Sequence, residues 1–81
     1  MARITRVRMN AEADYLENKA AVRSEAAAIA GERAAADPHN SDHTRACAAR
    51  AAQAARRNVA EYREMAATLR AGEIPEGFRF D

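Results

Sequence analysis

Large aromatic side chains, glycine and proline are scarce in this 81-residue chain, which has no tryptophan, two phenylalanines, two tyrosines, three glycines and two prolines. Three scattered glycines cannot form a phosphate-binding loop, because such a loop concentrates its glycines within a few residues. No apolar run approaches the ~20 residues that a membrane-spanning helix needs, and the N-terminus lacks the apolar core of a signal peptide. These absences predict a cytoplasmic protein that does not contact membranes.

Cysteine occurs once, at Cys47. A single thiol cannot form an internal disulfide, so a reducing compartment is the expected environment. The formal net charge is +1, from 13 basic and 12 acidic side chains. This balance by itself argues neither for nor against a nucleic-acid partner.

Alanine, by contrast, is abundant and accounts for 23 residues within an apolar share of 48%. Because burying a methyl group removes little area from water, the hydrophobic gain on folding is small for a chain of this length. Small domains of this kind usually depend on disulfides, metals or association with other chains. With no disulfide available, the composition indicates a protein that needs a partner.

The first helix is predicted over residues 11–36, after a short extended arm. In the arm, residues 1–9 (MARITRVRM), side chains alternate in the two-residue period of a strand. Asn10 is a suitable N-cap for the helix. Alanine-rich sequence then continues until Asp37-Pro38, which ends the helix because the residue before proline avoids helical backbone angles.

The second helix is predicted over residues 42–71, followed by a tail formed by residues 73–81. Ser41 or Asp42 can cap the N-terminus of this helix. Gly72 supplies a C-terminal stop. The two helices are therefore separated by a short polar turn.

Heptad spacing predicts that the two helices pack against each other, which makes the fold an all-α antiparallel two-helix hairpin over residues 10–72. Apolar residues recur every seven positions in both helices. Folding the chain at the turn brings these residues together in a single antiparallel register, which pairs Tyr15 with Leu69, Val22 with Tyr62, Ile29 with Ala55 and Ala36 with Ala48. Three further residues of the second helix interleave with this row, namely Ala52, Val59 and Ala66.

A second apolar stripe runs beside the first on the first helix, and it consists of Leu16, Ala20, Ala27, Ala30 and Ala34. A helix that is apolar over so wide an arc normally contacts more than one neighbour. Two helices cannot cover both stripes, whereas four can. The sequence therefore predicts a non-enzymatic structural or interaction protein that forms a homo-oligomer or docks onto a partner protein.

The residues predicted to bind the partner are large apolar groups that the paired rows do not use, namely Val7, Met9, Leu16, Met65, Phe78 and Phe80. Two interpretations of the phenylalanines are open. They anchor the chain in a neighbouring subunit, or they fold back onto Tyr15, Leu16 and Leu69 at the open end of the hairpin.

A small nucleic-acid-binding regulator is the first alternative function. Arg56, Arg63 and Arg70 recur at one heptad position, which this interpretation assigns to the outer face of the second helix. Together with the basic arm they suggest a phosphate-binding set, namely Arg3, Arg6, Arg8, Arg56, Arg57 and Arg63. Glu61 and Glu64 interrupt the stripe, which also fits a solvated charged face.

A metal-binding hairpin is the second alternative. His39, His43 and Cys47 follow one another at four-residue intervals. On a continuous helix they would share one face, and imidazole and thiolate ligands suit zinc. Such a helix would have to begin at Pro38. Cys47 lacks the third group and the oxyanion loop of a catalytic nucleophile, so the sequence predicts no catalytic residue and no cofactor.

The segment RVRMNAEADYLENKAAVRSEAAAIAGERAAA resembles the N-terminal part of small head–tail connector and tail-completion proteins of actinobacterial phages. In that family a short strand ending in asparagine leads into a helix rich in alanine and arginine. The matching positions here are Val7, Asn10, Leu16, Val22, Ile29 and Ala30. The family continues into further strands, whereas this chain continues into a second helix. The resemblance implies a role in virion assembly and location in the virion.

Overall fold

The computed structural model describes residues 4–80 and consists of helices joined into one hairpin. Helix α1 (Arg6–Tyr15), a π-helical turn (Leu16–Ala20) and helix α2 (Ala21–Ala36) follow one another without a break and form the N-terminal arm of the hairpin. Helix α3 (Asp42–Arg70) is the second arm, and α2 and α3 pack together along their length. Residues 4–80 contain no strand. The predicted all-α antiparallel hairpin is confirmed.

The first helix begins at Arg6, earlier than the sequence pattern predicts. Thr5 has an extended backbone (φ −88°, ψ 159°) and its hydroxyl accepts a hydrogen bond from the Arg8 backbone N–H at 3.2 Å, so Thr5 is the N-cap. The predicted extended arm is therefore wrong over residues 6–9, which are helical, and so is the predicted cap at Asn10. Residues 1–3 lie outside the described part. Helical backbone places Met9 beside the rest of the core, which an extended arm would not do.

The π-helical turn shifts the buried face of the N-terminal arm by one position. The buried residues of this arm are Met9 and Ala13 before the turn, Leu16 at its start, and Ala21 and Ala28 after it. In a continuous α-helix the residue seven positions after Ala13 would be buried, whereas here it is Ala21, eight positions on. A π turn accommodates one extra residue in this way. The second apolar stripe predicted from the sequence follows the uninterrupted heptad, so only its first member, Leu16, is buried.

The predicted seam of the N-terminal arm is wrong, because its bulky members face solvent. Tyr15, Val22 and Ile29 are 49%, 54% and 38% exposed. The buried positions of α2 are instead Ala21 and Ala28, each one position earlier in the chain than Val22 and Ile29. Near Ile29 the helices also lie close together, since a Cβ added to Gly31 would lie 3.0 Å from the Ala52 Cβ. At that separation alanine and glycine fit between the backbones, and β-branched side chains do not.

The predicted seam of α3 is correct. Its buried residues are Ala52, Ala55, Val59, Ala66 and Leu69. The Ser41 hydroxyl accepts a hydrogen bond from the Thr44 backbone N–H at 3.1 Å and caps the helix. Gly72, with φ of +84°, stops it in the left-handed conformation that favours glycine. Within residues 4–80, no helix combines the length and apolarity needed to cross a bilayer.

The C-terminal tail folds back onto the open end of the hairpin. Phe78 and Phe80 pack against the core cluster that contains Leu16 and Leu69. Their ring centroids are 4.9 Å apart in an edge-to-face arrangement, and the Arg8 guanidinium lies 5.3 Å from the Phe80 centroid. Of the two interpretations of the phenylalanines, the structure shows packing onto the chain itself.

Candidate interaction surface

One edge of the hairpin is closed by ion pairs that join its two arms. We call it the ion-pair edge, and it consists of Asp14, Glu17, Glu25, Glu32, Arg56, Arg63 and Arg70. Arg70 Nη2 lies 2.8 Å from Asp14 Oδ1 and 3.0 Å from Glu17 Oε2. Arg56 donates two hydrogen bonds to the Glu32 carboxylate, at 2.7 and 3.1 Å. Arg63 Nη2 lies 3.7 Å from Glu25 Oε2. These contacts set the antiparallel register in which the arms meet.

The ion pairs shift the pKa values of Glu32, Arg56 and Arg70. The hydrogen bonds and positive charge of Arg56 lower the pKa of Glu32, and partial desolvation opposes this shift. The hydrogen bonds to Glu17 and Asp14 raise the pKa of Arg70 above its usual value. Both shifts favour the charged forms of Glu32 and Arg70.

The stability of the hairpin is expected to depend on pH through Glu32. Because the folded-state pKa of Glu32 is lowered from the ordinary value of 4.5, its contribution is present above that value and is lost as the pH falls through the folded pKa. Glu32→Gln should therefore lose less stability than the wild type between pH 7 and the acid range. Urea titrations across that range measure the difference. Arg56→Ala should flatten the profile in the same way, and a wild-type profile in both variants would contradict the assignment.

The opposite edge of the hairpin carries small, uncharged side chains. We call it the uncharged edge, and it consists of Ala20, Ala27, Ala34, Ala51, Asn58 and Met65, with Ala30 and Ala54 beside them. On α3 the buried residues Ala52, Val59 and Ala66 lie between the two edges. Each arginine of the ion-pair edge lies four positions after one of these buried residues. Each residue of the uncharged edge lies one position before one of them, namely Ala51, Asn58 and Met65. Heptad geometry places these two sets on opposite flanks of the helix contact.

Most of the uncharged edge is open to solvent. Ala27, Ala51 and Asn58 are exposed, and Ala34 and Met65 are half-buried. Within residues 4–80 every ion pair between the arms lies on the other edge. Arg23 stacks on Tyr15, with its guanidinium 5.9 Å from the ring centroid. The ion pairs that join the two arms therefore lie on one edge of the hairpin, and uncharged side chains lie on the other.

The structure divides the residues predicted to bind a partner into two groups. Met9 and Leu16 are buried inside the hairpin, at 7% and 6% exposure. Phe78 and Phe80 are half-buried against them. Val7 is 79% exposed, and Met65 is half-buried on the uncharged edge. Of the predicted set, Met65 alone belongs to the uncharged edge.

The arginines predicted to bind nucleic acid do not form one surface. Arg56, Arg63 and Arg70 were expected on the outer face of α3, but they lie on the ion-pair edge, where carboxylates of the N-terminal arm neutralise them. The prediction of an outer face was wrong because it did not consider the acidic residues of the N-terminal arm. These recur with the same seven-residue spacing as the arginines and pair with them across the hairpin. Arg3 lies outside the described residues. The other three have different surroundings: Arg6 donates to the Arg70 carbonyl at 2.9 Å, Arg8 stacks on Phe80, and Arg57 is exposed on α3.

The candidate metal ligands are not assembled. His39 lies in the turn, outside α3, and its side chain is 93% exposed beside Asp37. His43 Nε2 and Cys47 Sγ are 3.7 Å apart on the first turns of α3. The part of the chain that the structure describes contains no group of three histidine, cysteine or carboxylate side chains arranged to hold a metal ion. The three-residue face fails because the helix begins at Asp42 rather than at Pro38.

Asn58 and Ala51 are surface residues that the sequence patterns did not single out. A usable signal was present, because Glu25 and Glu32 on one helix and Arg56 and Arg63 on the other share a seven-residue interval. Assigning those charges to one flank would have left the opposite flank uncharged.

Comparison with protein-family models, with curated proteins and with solved structures gives no match.

Proposed function

We propose that this chain is a non-enzymatic structural protein that self-assembles through the uncharged edge. The observation that carries the proposal is the asymmetry of the hairpin, with every described ion pair between the arms on one edge and alanine, asparagine and methionine on the other. The alternative to self-assembly is that a different protein docks onto the same edge.

Small side chains on this flank favour close packing with another helix. In a hairpin that acts alone, charged side chains usually cover both flanks of the helix contact. Ala27, Ala34 and Ala51 offer no such cover, and they let a third backbone approach closely with little loss of side-chain entropy. Four-helix bundles bury faces of this kind by pairing two hairpins.

The biological setting that we propose is a phage virion. It is supported by the sequence resemblance of the alanine- and arginine-rich helix within residues 6–36 to small connector and tail-completion proteins. The short strand of that family has no counterpart here, because residues 6–10 are helical. The neighbouring genes test it, because genes for virion assembly should flank this one, and a neighbourhood of unrelated genes would remove the support.

The test of self-assembly places charges on the uncharged edge. In Ala27→Glu combined with Ala54→Glu, two carboxylates would be buried without partners, and association should weaken by about 100-fold or more. The matched control, Ala26→Glu combined with Ala60→Glu, adds the same charge at exposed positions outside this edge.

Light scattering measures the mass of each protein, and circular dichroism checks that the helix content is unchanged. The control should associate like the wild type. The proposal is overturned if the edge variant associates as strongly as the control, or if the wild type stays monomeric at millimolar concentration.

A further inference from the structure

We propose that the occupant of the uncharged edge is a second copy of this chain, packed antiparallel along α3 with the two-fold axis at Asn58. This inference rests on the proposed function and adds the identity, direction and register of the partner. It follows from the order of side chains on the exposed part of α3, which is complementary to itself when reversed.

The sizes of the edge residues match about Asn58. Ala51 lies seven positions before Asn58 and Met65 lies seven positions after it. In an antiparallel pair centred on Asn58, the Met65 side chain of each copy therefore meets Ala51 of the other. A long, flexible thioether beside a single methyl group fills the space between two helices without a clash.

The charges beside this row also match about Asn58. Arg50 and Arg57 precede it, and Glu61 and Glu64 follow it. In the reversed copy, the arginines of one chain face the glutamates of the other. Pairing Arg57 with Glu61 centres on residue 59 and pairing Arg50 with Glu64 centres on residue 57, so each pair lies within one residue of the axis at Asn58. A parallel pair would put like charges together, so the charge order selects the antiparallel arrangement.

These four side chains are available to a second copy. None of them takes part in an ion pair within residues 4–80, in contrast to the arginines of the ion-pair edge. Glu61, Glu64 and Met65 line a groove of about 480 Å³ together with Thr68 and residues 73–76 of the tail, and no arginine of the described chain lines it. Met65 would form the apolar centre of a contact at this end of α3, and the glutamates would form its charged rim. A helix that carries arginines would complement that rim in charge.

Asn58 occupies the position where a symmetric interface needs a group that can pair with itself. Its amide has both donors and an acceptor, so two copies related by a two-fold axis can exchange hydrogen bonds. A single asparagine within an apolar helix contact fixes register and partner number in coiled coils. The isologous contact closes on itself as a dimer.

The test uses charge reversal in two complementary variants of the full chain. The acidic variant carries Arg50→Glu and Arg57→Glu, and the basic variant carries Glu61→Arg and Glu64→Arg. Each variant alone places like charges across the axis and should associate about tenfold more weakly than the wild type at low salt. An equimolar mixture should recover wild-type association, because every cross-axis pair is then attractive.

A cysteine placed at the axis gives a second readout. In a Cys47→Ser background, Asn58→Cys should form a disulfide between copies under mild oxidation, since residues on a two-fold axis meet themselves. Ala60→Cys, exposed on the other side of α3, is the matched control and should cross-link far less.

The outcomes separate this inference from the proposed function. If the mixture associates no better than either variant and Asn58→Cys does not cross-link, the antiparallel register is wrong. The proposed function survives that result if charges at Ala27 and Ala54 still abolish wild-type association. A monomeric wild type overturns both.

Discussion

Deletion of Asn18 is expected to leave the hairpin folded, whereas deletion of Ala26 is expected to unfold it. Asn18 is an exposed residue of the π-helical turn. Removing one residue there converts the turn into regular α-helix and keeps Ala21 and Ala28 on the buried face, because the extra residue is what the π turn accommodates. A deletion after the turn cannot be compensated in this way, because α2 is already a regular α-helix and contains no extra residue.

Removal of Ala26 shifts every later residue of the N-terminal arm by one position. Ile29 would then take the buried position of Ala28. Glu32 would take the position of Gly31, where an added Cβ would already lie 3.0 Å from the Ala52 Cβ. An unpaired carboxylate and a bulky side chain in that contact should cost several kcal/mol.

Thermal unfolding followed by circular dichroism compares the two deletions. Asn18 deletion should match or exceed the wild-type transition temperature, and Ala26 deletion should show no cooperative transition. Equal loss in both deletions would show that the π turn does not set the position of the buried face.

Leu69→Ala is expected to remove most of the stability at the open end of the hairpin. Leu69 is fully buried at 0% exposure, in the cluster that joins α1, α3 and the phenylalanine tail. Truncating a buried leucine to alanine costs roughly 2–5 kcal/mol, which is a large part of the total for a small domain. Urea unfolding at 25 °C should show a much lower midpoint.

Val7→Ala is the matched control for Leu69→Ala, because Val7 is 79% exposed. Its effect should stay within about 0.5 kcal/mol. If Leu69→Ala shifted the midpoint no more than Val7→Ala, the packing of the tail and α1 onto α3 would be contradicted.

The sequence predicted α3 well because α3 is regular. Its cap at Ser41, its stop at Gly72 and its buried row through Val59 and Leu69 follow from local chemistry and an unbroken heptad. The N-terminal arm was predicted less well, because a π turn leaves no clear signature in residue types and changes the face of everything after it. The heptad that starts at Tyr15 placed Val22 and Ile29 in the seam, whereas the buried positions of α2 are Ala21 and Ala28.

The start of the N-terminal arm was missed for a different reason. Alternation over residues 4–9 fits a strand, but the same residues place Met9 four positions before Ala13, which is also a helical spacing. Contact with Leu69 and the tail favours the helix, and this is a tertiary effect that local patterns do not contain.

The candidate surface was only partly predictable. The need for a partner was inferred from surplus apolar groups, yet the structure covers Met9, Leu16 and the two phenylalanines within the chain. What remains exposed includes the row of Tyr15, Val22 and Ile29 as well as the uncharged edge. The uncharged edge becomes visible only once the ion pairs are placed. The case for assembly therefore rests on the asymmetry of charge around the hairpin.

Sedimentation equilibrium of the wild-type chain tests self-assembly most directly. Over a concentration series at low salt, the apparent mass should rise from that of one chain, 8.8 kDa, to twice that value. A mass that stays at one chain throughout the millimolar range would contradict it.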